Sequence, residues 1–216
     1  MKHHSILTFM TVAVCAAVSM DTVGRTASQF FADMPDVSVP LLTRNTRLDM
    51  LDYYNSGLET PSANRLDGKS RITSVTPSRV DISMSTEATA SLVVIPFTKG
   101  DTILAYVETS LLPVPDSHVT TFRVSNGAPE RLETLTPPPA NDWLIKKTKA
   151  DEALLRTDIP MFFVSVEPTD DPSVLRLVNT TSRNYIEGEV PDVLSRTSSE
   201  RLFSVDRKGR WTEIRK

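Results

Sequence analysis

Alternation of apolar and polar positions dominates the middle of the chain. Residues 71–76, 80–84, 90–97, 102–109 and 119–124 are short runs rich in β-branched side chains and separated by turn chemistry, which predicts an antiparallel meander. Lys99-Gly100-Asp101 and Asn126-Gly127 supply glycines where tight hairpins need a positive φ. Within 90–97, Leu92, Val94 and Pro96 fall on one face and Val93, Ile95 and Phe97 on the other, so the middle of the sheet is expected to be covered on both sides. One expected cover is a helix. Thr46-Arg47-Leu48-Asp49 reads as a variant capping box, with the Asp at the third helical position favourably placed on the helix dipole. The helix would pass through Met50, Leu51, Tyr53 and Tyr54 and stop at Gly57, burying Leu48, Leu51 and Tyr54 or Asn55. Before it, residues 28–45 set Phe30, Phe31, Met34, Leu41 and Leu42 among prolines, which reads as an ordered lead-in without regular structure.

Pro137, Pro138 and Pro139 exclude helix interior and central strand, because three consecutive residues lack an amide hydrogen and fix φ. Residues 136–140 therefore read as a linker. Beyond it Asn141 or Asp142 can cap a short turn carrying Trp143, Leu144 and Ile145, followed by a charged segment at 146–156. Residues 161–166 and 174–179 predict a hairpin, Pro191 a brief helix, and 201–205 with 210–214 a last hairpin around Lys208-Gly209. Strands that follow one another without crossover helices give the class α+β: mostly antiparallel sheet with a few short helices. The division expected is a helix-plus-meander lobe at 28–135 and a smaller α+β lobe at 141–216.

The first residues change the picture of where such a domain works. Ser5 to Ser19 is apolar and uncharged behind Lys2, the composition of a secretory signal peptide; cleavage is expected after Ser19, or as late as residue 27. The run is shorter than the roughly 20 residues a membrane-spanning helix needs, so the mature chain is expected to carry no transmembrane segment. The flanks of Cys15 argue against a lipoprotein, since branched Val14 stands where a small residue is usual. The expected location is the periplasm. Loss of 1–19 removes Lys2, leaving 23 Lys plus Arg against 27 Asp plus Glu, and nucleic acid is not the partner such a balance suggests. It also removes His3, His4 and Cys15, so His118 becomes the single histidine of a cysteine-free chain.

That inventory limits the chemistry. A zinc site needs several Cys or His ligands. A Ser-His-Asp relay would have to recruit His118 from Asp116-Ser117-His118, whose adjacent side chains point in different directions; the simpler reading is a turn whose Asp and Ser bond local amides. No nucleophile elbow, phosphate loop or dinucleotide fingerprint occurs. Carboxylates remain. Asp49 and Asp52 share a helix face beside Arg47, with Asp33 and Asp36 upstream, and could serve a calcium site or a hydrolase of envelope polysaccharide that also used Asp116. Trp143 and Trp211 are the large stacking platforms a sugar groove would use, although each also suits a core. No cofactor is expected.

The segment Met34-Pro35-Asp36, then Pro40-Leu41-Leu42-Thr43, then Arg47-Leu48-Asp49, Asp52, Tyr54 and Gly57 resembles the opening of a secreted Bacteroidales family of unknown function, domain of unknown function family 3256. Asn64 to Ser70, Val107-Glu108-Thr109 and Pro115-Asp116-Ser117 followed by Phe122 are similar to its later landmarks. The resemblance implies a cell-envelope protein and no activity. The expectation that follows is a non-enzymatic module binding another envelope protein or component through sheet edges or the surface near residues 30–60; the alternatives are the carboxylate-dependent hydrolase and a periplasmic binder of a small ligand or calcium between the two lobes. Met34, Pro35, Asp36, Arg47, Asp49 and Asp52 are the candidate surface, or else a local cluster in which Arg47, Asp49 and Asp52 fix the lead-in against the sheet.

Overall fold

The computed structural model describes residues 24–98, 100–125 and 129–214. The expected leader at 1–19 and the Asn126-Gly127 turn lie outside the described residues. Elements follow in the order α1 (Ala27–Asp33), α2 (Arg44–Asn55), β1 (Ser62–Ala63), β2 (Lys69–Thr76), β3 (Arg79–Ser83), β4 (Ala88–Pro96), β5 (Thr102–Ser110), β6 (Asp116–Val124) and β7 (Glu130–Arg131). A turn of 3-10 helix at Ala140–Trp143 leads to α3 (Lys149–Asp158), β8 (Val164–Pro168) and β9 (Val174–Asn179). Two further 3-10 turns, Thr181–Asn184 and Asp192–Arg196, precede β10 (Glu200–Val205) and β11 (Trp211–Glu213). The fold is α+β. Among the described residues the strands form two antiparallel sheets, seven strands in the order β1-β2-β3-β4-β5-β6-β7 and four in the order β11-β10-β9-β8. No described helix is long and apolar enough to cross a membrane.

Both faces of the large sheet are covered, and the pleat of β4 divides its side chains as alternation predicted. Leu92 and Val94 join a cluster with Phe30, Phe31, Met34, Leu42, Met50 and Leu51 beneath the two N-terminal helices. Val93 and Ile95 join Trp143, Val164, Val166, Leu175, Leu177 and Phe203 beneath the small sheet. The second cluster takes side chains from both sheets, so they share apolar packing. The outer face of the small sheet is polar, with Arg176 between Glu167 and Glu200 at 3.9 and 3.5 Å. Both tryptophans lie within the packing. Trp143 is buried and donates Nε1–H to the Pro138 carbonyl at 3.1 Å, and Trp211 donates to Thr121 Oγ1 at 2.9 Å.

The N-terminal region departs from expectation in three ways. The lead-in contains α1, because Thr26 and Gln29 make a reciprocal capping box in which each side chain bonds the other's backbone amide. The second helix begins three residues earlier than expected. Thr43 is its cap, accepting from the Thr46 amide at 3.1 Å, so Asp49 lies beyond the first turn and caps nothing. That shift rotates the buried face onto Arg47, Met50 and Leu51; Leu48 is half-buried, while Tyr54 and Asn55 are exposed. Gly57 ends the helix at φ +69°, a left-handed conformation that costs glycine little. The charged segment 146–156 also proves largely helical. Thr148 caps α3, and buried Leu155 and Ile159 pack against Val193 and Leu194.

Candidate functional site

Arg47 is the centre of the landmark segment and has no exposed surface. Its guanidinium donates to the carbonyls of Met34, of Leu42 at 2.5 Å and of Ala32 at 3.4 Å, and to Asp36 Oδ1 at 3.1 Å. Ala32 lies in the last turn of α1 and the other acceptors in the loop that joins it to α2; that loop closes turns through the Pro35, Asp36 and Val39 carbonyls, whereas the described residues offer no backbone donor to the Met34 and Leu42 carbonyls. One planar side chain with five donors serves several of them together, a task for which Lys lacks the geometry. Burial pushes the guanidinium below its ordinary pKa, and the hydrogen bond it donates to Asp36 opposes that push. Asp36 is shared: its other oxygen accepts from Arg65 at 3.0 Å, tying the loop before α2 to the β1–β2 turn.

The expected cluster of Arg47 with Asp49 and Asp52 therefore does not form. Both carboxylates are exposed on α2, and among the described residues neither enters an ion pair, because the rotation that buries Arg47 turns them outward. Met34 is buried and Pro35 half-buried, whereas Asp36 keeps a partly exposed carboxylate. Of the six candidate positions the structure brings together Met34, Asp36 and Arg47, in a pinned loop. Above that loop stands a surface not resolved into residues by sequence reasoning. Val37, next to Asp36, is 87% exposed, and Leu66, next to Arg65, is 75% exposed. Two loops joined by an ion pair thus each present a large apolar side chain to solvent.

A second feature lies on the same face of the large sheet, where the helical cover ends. A cavity of about 470 Å³ is walled by Leu41, Met84 and Ala88 and floored by β5 and β6. Glu108 and His118, directly paired across these strands, both line it. Burial raises the Glu108 carboxyl above its ordinary pKa, while the nearby imidazole lowers it. Two residues before Glu108 on β5, the Tyr106 hydroxyl is buried with no hydrogen-bond partner among the described residues. Burial, then Glu108, push it far above the usual phenol range against the pull of Arg47.

Asp116 and Ser117 act at long range instead of bonding local amides. Asp116 Oδ1 accepts from the Val164 amide at 2.9 Å and Ser117 Oγ from the Val166 amide at 2.8 Å, 48 and 49 residues away. These amides lie on the edge of β8 away from β9, and the side chains close that edge. Ser117 also bonds Thr109 Oγ1 at 2.8 Å, so the hydroxyl beside His118 is engaged on two sides. Among the described residues no three His, Cys, Asp or Glu side chains converge on a point that could hold a metal ion.

This arrangement, a helix-capped antiparallel sheet backed by a smaller sheet, has relatives. The family described as "Protein of unknown function (DUF3256)" matches residues 19–202, and the chain belongs to that family. Among solved structures the chain is similar to a domain of an uncharacterised protein from Porphyromonas gingivalis W83, with a TM-score of 0.67 and 18% identity over 88% of this chain and 98% of that one. At that identity the likeness concerns the fold. No curated protein matches the chain.

Proposed function

We propose that the protein is an exported, non-enzymatic module of the Bacteroidales cell envelope, periplasmic after removal of its leader, that binds another envelope protein through the two loops around Asp36 and Arg65. The observation that carries this reading is the rigid presentation of Val37 and Leu66, 87% and 75% exposed, on loops held by the Asp36–Arg65 ion pair and the buried Arg47. Exposed apolar side chains on an ordered surface suit protein contact, and loops already fixed lose little conformational entropy on binding. The uncharged apolar run from Ser5 to Ser19 supports export. On this reading the segment around Arg47 builds a platform, and binding falls to the exposed tips at Val37 and Leu66.

The test is crosslinking in the native cell with a tagged full-length chain, comparing wild type with the double substitution Val37→Asp, Leu66→Asp. A reproducible envelope partner that disappears in the variant, with the melting curve unchanged, is the expected result. A partner pattern indifferent to the substitutions would refute the surface. Recovery of the unprocessed chain from the cytoplasm would refute the location.

A further inference from the structure

We propose that the cavity over Glu108 and His118 binds a small organic cation, an ammonium group carried on a short aliphatic body. The residues that line it include neither Val37 nor Leu66. Its volume, about 470 Å³, falls within the range of small-molecule sites. The wall formed by Leu41, Met84 and Ala88 is apolar and suits an aliphatic chain.

The polar lining determines the charge. Two carboxylates and one imidazole face the cavity, and neither Lys nor Arg does. Asp116, Ser117 and Thr109 are committed to the backbone of β8 and to each other, and Ser110 Oγ donates to the Leu112 carbonyl at 3.0 Å. Glu108 differs. Its carboxyl receives no hydrogen bond from the described residues and no ion pair joins it to His118, although the two are cross-strand partners. A partly desolvated carboxylate without a donor is a standing cost to the fold. A ligand bringing N–H donors and a positive charge removes that cost, whereas an anion adds to it and a neutral alcohol removes only part. A divalent ion is poorly matched, since no three ligating groups converge here.

The experiment titrates the full-length chain near pH 7.5 with n-butylammonium, using 1-butanol and butyrate as controls, and follows the His118 ring resonances, identified by their loss in His118→Gln. The expected result is a saturable shift with n-butylammonium, at a dissociation constant on the order of 1 mM, and neither control matching it. Glu108→Gln is expected to weaken binding at least tenfold. Ser110→Phe, at an exposed rim position, is expected to abolish it by filling the cavity while leaving the carboxylate in place. Equal response to 1-butanol, no shift at His118, or full binding by either variant overturns the proposal. Melting curves accompany both variants. If Glu108→Gln does not fold, loss or retention of binding in Ser110→Phe decides the question.

Discussion

The two faces of the large sheet are closed by different means. Toward the small sheet the closure is apolar, with Val93 and Ile95 against Val164, Val166, Leu175 and Leu177, and with Asp116 and Ser117 fastening the edge of β8. Toward the N-terminus the closure is apolar at its base, but a buried cation holds its loop together through the Met34 and Leu42 carbonyls, which have no other partner among the described residues. A sheet satisfies its own backbone everywhere but at its edges, so side-chain contact covers its face and only the β8 edge needs Asp116 and Ser117. A sharply turning loop does not satisfy all of its own, and a buried loop of this kind requires a polar side chain to complete it. Arg47 thus sits where packing alone is insufficient, and the open features, the Val37–Leu66 tips and the Glu108 cavity, flank the pinned cover.

Substitutions should separate these two modes of closure. Arg47→Met keeps the side-chain volume but strands the buried carbonyls of Met34 and Leu42, while Asp36 keeps Arg65, and should cost about 3–5 kcal/mol in urea unfolding. Arg47→Lys should recover only part of that loss. On the other face Leu177→Ala removes buried apolar volume at a site with no polar obligation, and about 3 kcal/mol is expected from the same measurement. The combined Asp116→Ala, Ser117→Ala substitution leaves two β8 amides unpaired for a loss of about 2 kcal/mol, with hydrogen exchange rising first in β8. Val37→Asp with Leu66→Asp should change stability by less than about 0.5 kcal/mol, as befits surface positions.

Acid provides a further way to compare them. Asp151, held low by Thr148 and then Arg196, and Asp101, held low by Arg123, have folded pKa values beneath the ordinary 3.8. Their contribution is present above that value and is lost as pH falls through the folded pKa, so the stability curve should decline below about pH 4. Glu108 has the opposite sign. Its folded pKa lies above the ordinary 4.5, so its favourable contribution is complete below 4.5 and is lost as pH rises through the folded value. Glu108→Gln should accordingly melt no lower than wild type at neutral pH, and thermal scans at pH 4 and 7.5 check both signs.

The meander was legible because Leu92, Val93, Val94 and Ile95 alternate against turns that only glycine serves well, as at Gly100 with φ +84°. The helix stop at Gly57 was legible for the same reason. The start was misplaced because Thr43 and Thr46 are both competent caps three residues apart, and the choice depends on which phase buries Met50 and Arg47. The Thr26–Gln29 capping box was readable and carried the missed α1. An arginine amid carboxylates suggests a surface ion-pair cluster, and nothing local indicates that its partners are the carbonyls of residues 32, 34 and 42. The bonds from Asp116 and Ser117 to β8 were equally hidden, since they join residues 48 and 49 apart. The Glu108–His118 pair follows from a hairpin register set by the loop at 111–115, whose two prolines give no standard turn to count from.

The central claim is that the loop of residues 33–42 is a framework element completed by Arg47 and not a mobile arm. Native-state amide hydrogen exchange of the wild-type protein tests it most directly at Met34, Val39 and Leu42, whose amides donate to Phe30, Asp36 and Val39. Protection approaching that of β4 and β5 is the predicted result. Exchange at the rate of a fraying surface loop would contradict it, and with it the rigid platform on which Val37 and Leu66 are presented.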